Sequence, residues 1–145
     1  MTFAERAGTL YLIDTSVLSR IRVPSVQKIV SGLIFEEVAA TCATIDLEIG
    51  YSGRNEAEVR SAADARRSHY RNLDLTEPIV ARARATQLHM AARGHHRAAG
   101  VIDLLTAAVA AHYDAVLLHY DSDFEHIAAV TGQPHLWIST RGTLD

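Results

Sequence analysis

A single cysteine, Cys42, excludes an internal disulfide. Its apolar setting, Ala39-Ala40-Thr41-Cys42-Ala43, has no histidine nearby and points to a small buried hydrophobe rather than a nucleophile. No apolar run approaches the roughly 20 residues needed to cross a bilayer, and the start Met1-Thr2-Phe3-Ala4-Glu5-Arg6 lacks the features of a signal peptide. The expectation is a cytoplasmic protein with no membrane partner. Lysine is nearly absent: Lys28 is the only one, so the positive charge is almost all arginine, the better bidentate phosphate ligand. Phosphate-binding loops of the P-loop and Gly-x-Gly-x-x-Gly types are missing, as is a His-Glu-x-x-His zinc signature. There is no repeat and no low-complexity segment.

What is present is 145 residues with 48 % hydrophobic side chains, the size of one core and a single domain over 1–145. A formal charge of −3 argues weakly against a nucleic-acid partner. Setting aside five carboxylates as metal ligands leaves 12 of the 17 acidic groups against 14 basic ones.

Residues 9 to 13 are nearly all apolar, as in a strand buried on both faces of a parallel sheet. Asp14-Thr15-Ser16 supplies a helix cap, and a short helix to about Arg22 precedes a second from Pro24 to Glu37. Val38 to Ala43 reads as a strand, with a helix capped at Thr44 that stops near Gly50 to Gly53. A polar helix from Asn55 to about Arg71 places Arg60, Arg67 and Arg71 on one stripe, read as a solvated face in preference to a groove for RNA or a protein. A short strand at Asn72 to Leu75 follows, then a helix from Thr76-Glu77-Pro78 to about Arg93. After a histidine-bearing loop comes the dense apolar helix Val101 to Tyr113. A strand at Ala115 to His119, a helix to about Val130 and an edge strand at His135 to Ile138 complete the chain. The order β-α-α-β-α-α-β-α-α-β-α-β predicts an α/β sandwich with a mainly parallel central sheet.

Against that frame the acidic residues are oddly placed. Asp14 follows the apolar run Leu10-Tyr11-Leu12-Ile13, and Asp121 and Asp123 follow Ala115-Val116-Leu117-Leu118. They lie beyond the C-terminal ends of buried strands, where open α/β sheets bind ligands. Asp103 sits in the first turn of the apolar helix, and Glu48 lies on the helix after the second strand. Buried carboxylates need a partner, and an all-oxygen set without Cys or His suits Mg²⁺ or Mn²⁺ rather than zinc. Such a site supports hydrolysis of a phosphodiester without a protein nucleophile. Thr15 and Ser16 have two readings, as helix caps or as hydroxyls that orient water or substrate, and Arg97 in the loop before Asp103 is a candidate phosphate contact.

Four segments, Ile13-Asp14-Thr15-Ser16, Ile45 to Gly53, Ile102-Asp103-Leu104-Leu105-Thr106-Ala107-Ala108 and Leu117 to Phe124, resemble in order and spacing the motifs of PIN-domain ribonucleases. Small single-domain members are VapC-type toxins of bacterial toxin–antitoxin pairs, and the similarity covers essentially the whole chain. The resemblance implies a PIN-like α/β/α sandwich with a metal centre of Asp14, Glu48, Asp103 and Asp121, with Asp123 close by. It also implies cleavage of RNA, homodimerisation, and inhibition by a cognate VapB-type antitoxin in a heterotetramer or larger assembly. Members often carry Thr or another small residue where His119 stands.

Each carboxylate also has a structural reading, Asp14 and Asp121 as caps and Glu48 as a solvated helix residue; Asp103, flanked by apolar positions, is the hardest to read so. Asp46, Asp64, Asp74 and Asp114 are read as structural or solvent-facing, and the histidines, His119 included, as surface or capping groups. A receiver domain is disfavoured by the single acid after the first strand and the lack of a suitable lysine; a haloacid-dehalogenase-type phosphatase is disfavoured because Ser16 stands where its second Asp belongs. The alternative from another class is a catalytically silent PIN-like module that binds RNA or protein.

Overall fold

The strands of the computed structural model form one sheet in the order β3-β2-β1-β4-β5, every neighbouring pair parallel. The structure describes residues 8–144, so the segment Met1 to Arg6 read for a leader lies outside the described residues. Along the chain the elements are β1 (Tyr11–Ile13), α1 (Thr15–Leu18), α2 (Pro24–Phe35), β2 (Ala39–Thr41), α3 (Ala43–Tyr51) and α4 (Glu56–His69). They continue with β3 (Arg71–Asn72), α5 (Glu77–Ala92), α6 (Val101–His112), β4 (Val116–His119), α7 (Asp123–Thr131) and β5 (His135–Trp137). This is the order expected from the sequence, and the sheet is wholly parallel.

Strand periodicity divides the core in two. In β1, Leu12 faces a cluster with Ile79, Met90, Val109 and Phe124, while Tyr11 and Ile13 face a second with Val17, Val26 and Val30. In β4, Leu117 joins the first cluster, and Val116 and Leu118 the second. Side chains that alternate across a pleat and are buried on both faces require helices on both sides. Helices α1 and α2 cover one face, and α5, α6 and α7 the other, which makes an α/β/α sandwich. The polar helix α4 contributes no buried residue.

Several boundaries differ from the sequence reading. The strands are shorter, and α1 ends at Leu18, several residues before Arg22. Helix α3 is entered one residue before Thr44, with Cys42 at its N-cap, because the Thr44 hydroxyl is committed elsewhere: it lies 2.7 Å from the buried Thr106 Oγ1. Arg71 leaves the arginine stripe to enter β3, while Arg60 pairs with Glu56 and Arg67 with Asp64 on the exposed face of α4. Cys42 is buried, as expected. Among the described residues no helix is long and apolar enough to cross a membrane.

The strand order fixes where a ligand can enter. From β1 the chain steps outward through β2 and β3, then returns to place β4 on the other side of β1. The switch point is therefore between β1 and β4, and the crevice beyond their carboxyl ends is the expected site.

Candidate active site

Asp14 follows β1 at this crevice, and its N–H donates to Leu118 O of β4 at 2.9 Å. Its Oδ2 accepts the Ser16 N–H at 2.9 Å as the N-cap of α1. The carboxylate is 4 % exposed, and Oδ1 has no hydrogen-bond partner. Burial raises its pKa, and the charge of Glu48 adds to the rise. Asp14 is thus both a cap and a carboxylate with one oxygen uncommitted, so its two sequence readings are compatible.

Asp103, Asp121 and Asp123 come from three different places. Asp103 is the third residue of α6, Asp121 lies just past β4, and Asp123 opens α7. Each offers a carboxylate oxygen within 4.8 Å of the others. Two of the three stand at helix N-termini, whose dipoles favour negative charge. The Asp121 Oδ1 accepts the Asp123 N–H at 3.0 Å, and the Asp123 Oδ2 accepts the Gly100 N–H at 3.2 Å. Burial, a hydrogen bond with Asp123 and the charges of Asp14, Asp121 and Asp123 push Asp103 up to about 8. Asp14 therefore feels the charge of Glu48 and acts by its own charge on Asp103, while the group within 4.8 Å is Asp103, Asp121 and Asp123.

Glu48 is half-buried on α3, and its Oε1 accepts the Thr15 hydroxyl at 3.1 Å. Ser16 Oγ accepts the Tyr120 N–H at 2.8 Å, a bond that ties the ends of β1 and β4 together. Both hydroxyls after Asp14 are thus engaged in holding the rim. Arg97 is exposed and bonds to none of the five acids. Asp46, read as structural, accepts the Thr41 hydroxyl at 2.6 Å and pairs with Arg66.

The histidines divide differently from the sequence reading. His95, His96, His112 and His126 are exposed, but His119 is fully buried, which overturns the surface half of its surface-or-capping reading. Its Nδ1 accepts the Asp121 N–H at 3.2 Å, and its Nε2 lies 2.8 Å from Nδ1 of His135. Burial, with His135 alongside, lowers His119 to about 3, so the ring is neutral. The signal in the sequence was a polar residue ending the otherwise apolar strand Val116-Leu117-Leu118.

The donor set can be tested for a metal on its own chemistry. An orphaned, buried carboxylate oxygen and a carboxyl raised by three neighbouring acids are the marks of negative charge gathered without a protein cation. An all-oxygen cluster of this kind fits a hard divalent cation.

Comparison with known proteins points the same way. A family profile described as PIN domain matches residues 11–130. Ribonuclease VapC51 of Mycobacterium tuberculosis is 42 % identical over 135 residues, 93 % of this chain and 97 % of that protein. Ribonuclease VapC21 of the same species is 36 % identical, over 93 % of this chain and 98 % of its own length. Among solved structures, VapBC2 from Rickettsia felis bound to a DNA fragment from their promoter superposes with a TM-score of 0.75 at 15 % identity, covering 89 % of this chain and 98 % of that one. VapBC-1 from nontypeable Haemophilus influenzae gives 0.72 at 18 % identity, covering 90 % and 98 %.

Proposed function

The chain belongs to the PIN-domain family, and from that premise we propose that it is a metal-dependent endoribonuclease toxin, restrained by a cognate VapB-type antitoxin and acting in the cytoplasm. The observation that carries this reading is the gathering of Asp103, Asp121 and Asp123 within 4.8 Å of one another, with Asp14 near enough for its charge to act on Asp103. The names of the relatives, Ribonuclease VapC51 and Ribonuclease VapC21, supply the activity. The structural neighbours that pair VapB with VapC supply the kind of partner.

Asp14, Asp103, Asp121 and Asp123 would hold the cation, Mg²⁺ or Mn²⁺. When bound there, such an ion supplies a water of lowered pKa and neutralises charge on the phosphoryl group. The protein's own part is positional. Asp14 is fixed by the α1 cap and by β4, so its carboxylate is held at a set place. Glu48 is steered by the Thr15 hydroxyl and stands across from Asp14 to orient an attacking water. The N-termini of α6 and α7 lower the cost of gathering negative charge. Arg97, exposed and unpaired with any of the acids, remains the candidate for a substrate phosphate outside the cluster. Homodimerisation is supported by apolar side chains left at the surface near the site, with Leu47 73 % and Tyr51 93 % exposed.

Cleavage of total cellular RNA by purified, antitoxin-free protein tests the proposal, with Mg²⁺, Mn²⁺ or EDTA and beside Asp14→Asn. The Asn side chain keeps an acceptor for Ser16 N–H, so the α1 cap is retained, and circular dichroism checks the fold. Discrete fragments that require metal and vanish in the variant are expected. Binding of RNA with no cleavage in either metal would establish a silent binding module instead.

A further inference from the structure

We infer that His119, braced by His135, is a positioning residue for the Asp121–Asp123 pair; this rests on the nuclease reading of that site. The mechanism above makes no use of His119, yet the ring is fully buried beside the carboxylates. Parallel pairing of β4 with β5 sets His119 opposite Trp137 and Leu117 opposite His135, which brings the two imidazoles together. Phe124 and Trp137 enclose the ring, each with its centroid about 5 Å away.

The hydrogen bonds fix the tautomer. Nδ1 accepts the backbone N–H of Asp121, so it carries no proton. In the neutral ring the proton is then on Nε2, which donates to His135 Nδ1 at 2.8 Å. From there the connections run outward in one direction. His135 holds His119, His119 holds the Asp121 amide, and the Asp121 carboxylate holds the Asp123 amide. The Asp123 carboxylate in turn accepts from Gly100, the residue that caps the helix carrying Asp103. The bond from the Asp121 amide to the imidazole two residues before it is therefore the first link of a chain that reaches Asp121, Asp123 and the cap of the helix carrying Asp103. Groups of this kind, which orient metal-binding side chains, commonly change affinity or activity by about 10-fold or more when removed.

A threonine at position 119 could accept the same N–H through its hydroxyl, as side chains do across two residues in turns. A valine of the same shape cannot. His119→Thr and His119→Val thus lose the same packing and differ only in the acceptor for Asp121. Mn²⁺ affinity by calorimetry and steady-state RNA cleavage are to be measured for both, with thermal melts to compare folding. The valine variant is expected to bind Mn²⁺ about 10-fold more weakly than the threonine variant, with a matching fall in kcat and an unchanged KM. Equal affinity and equal kcat in the two would overturn the inference and leave His119 a packing residue. Nitrogen-15 shifts of the parent protein give an independent reading even if neither variant folds: a His119 proton on Nδ1 rather than Nε2 also overturns it. The nuclease reading fails separately, through a parent that does not cleave RNA, while the tautomer and Mn²⁺ affinities stay measurable.

Discussion

Replacing Asp103 by Asn should stabilise the metal-free protein while abolishing its activity. Asp103 is raised from 3.8 to about 8 by burial, by its hydrogen bond with Asp123 and by three neighbouring negative charges. An acid whose pKa rises on folding contributes fully to stability below its unfolded value, and that contribution is lost as pH climbs from 3.8 towards about 8. At pH 7 the shift corresponds to at most about 4 kcal/mol of destabilisation relative to acid pH. The side chain is only half-buried, and solvent screening reduces this to roughly 1–2 kcal/mol. Asn has the same shape and no charge to gather. Thermal melts in EDTA should therefore place the variant about 3–8 °C above the parent at pH 7, with the gap closing as pH falls to 4. Added Mg²⁺ should stabilise the parent more than the variant and reverse the order. A variant no more stable than the parent at pH 7 in EDTA, or a gap that persists at pH 4, refutes the argument from repulsion.

Three further outcomes follow from the same structure. Thr44→Val removes the partner of the fully buried Thr106 hydroxyl and should cost about 1–3 kcal/mol in urea denaturation; adding Thr106→Val should recover much of the loss. In Gly100→Ala the new Cβ would stand 3.1 Å from Asp103 Oδ2, so the carboxylate must shift, and RNA cleavage should fall by about 10-fold with the protein still folded by circular dichroism. Glu37 holds a left-handed conformation at φ 59° where α2 ends, and Glu37→Gly should raise the urea midpoint by the equivalent of about 0.5–1 kcal/mol without altering activity.

The sequence carries the order of elements because each is short and bounded by clear signals. Pro24 and Pro78 open helices, Gly132 closes α7 in a left-handed turn, and buried strands read as apolar runs. It also places the carboxylates, since an acid ending an apolar strand stands out. Asp14 and Asp121 are legible in this way, and Asp103 by contrast with the apolar face around it. What the sequence hides depends on pairing between distant segments. His119 and His135 are brought together by the register of β4 against β5, and Thr44 meets Thr106 across 62 positions. Three histidines spaced by seven look alike in the sequence, yet His112 and His126 face solvent and His119 does not, because only His119 ends a strand covered on both faces. Strand ends blur because Leu10, Val38, Leu73 and Ile138 lie outside the strands yet still exchange backbone bonds with a neighbouring strand.

The bond from the Tyr120 amide to Ser16 spans 104 positions, and β1 lies directly against β4. A ribosome delivers Asp14 first and Asp121 107 positions later. At about 5–20 residues per second, several seconds separate the two, and non-local parallel pairing is slow to form even afterwards. Throughout that interval the nascent polypeptide carries no assembled cluster and is harmless to the RNA that encodes it.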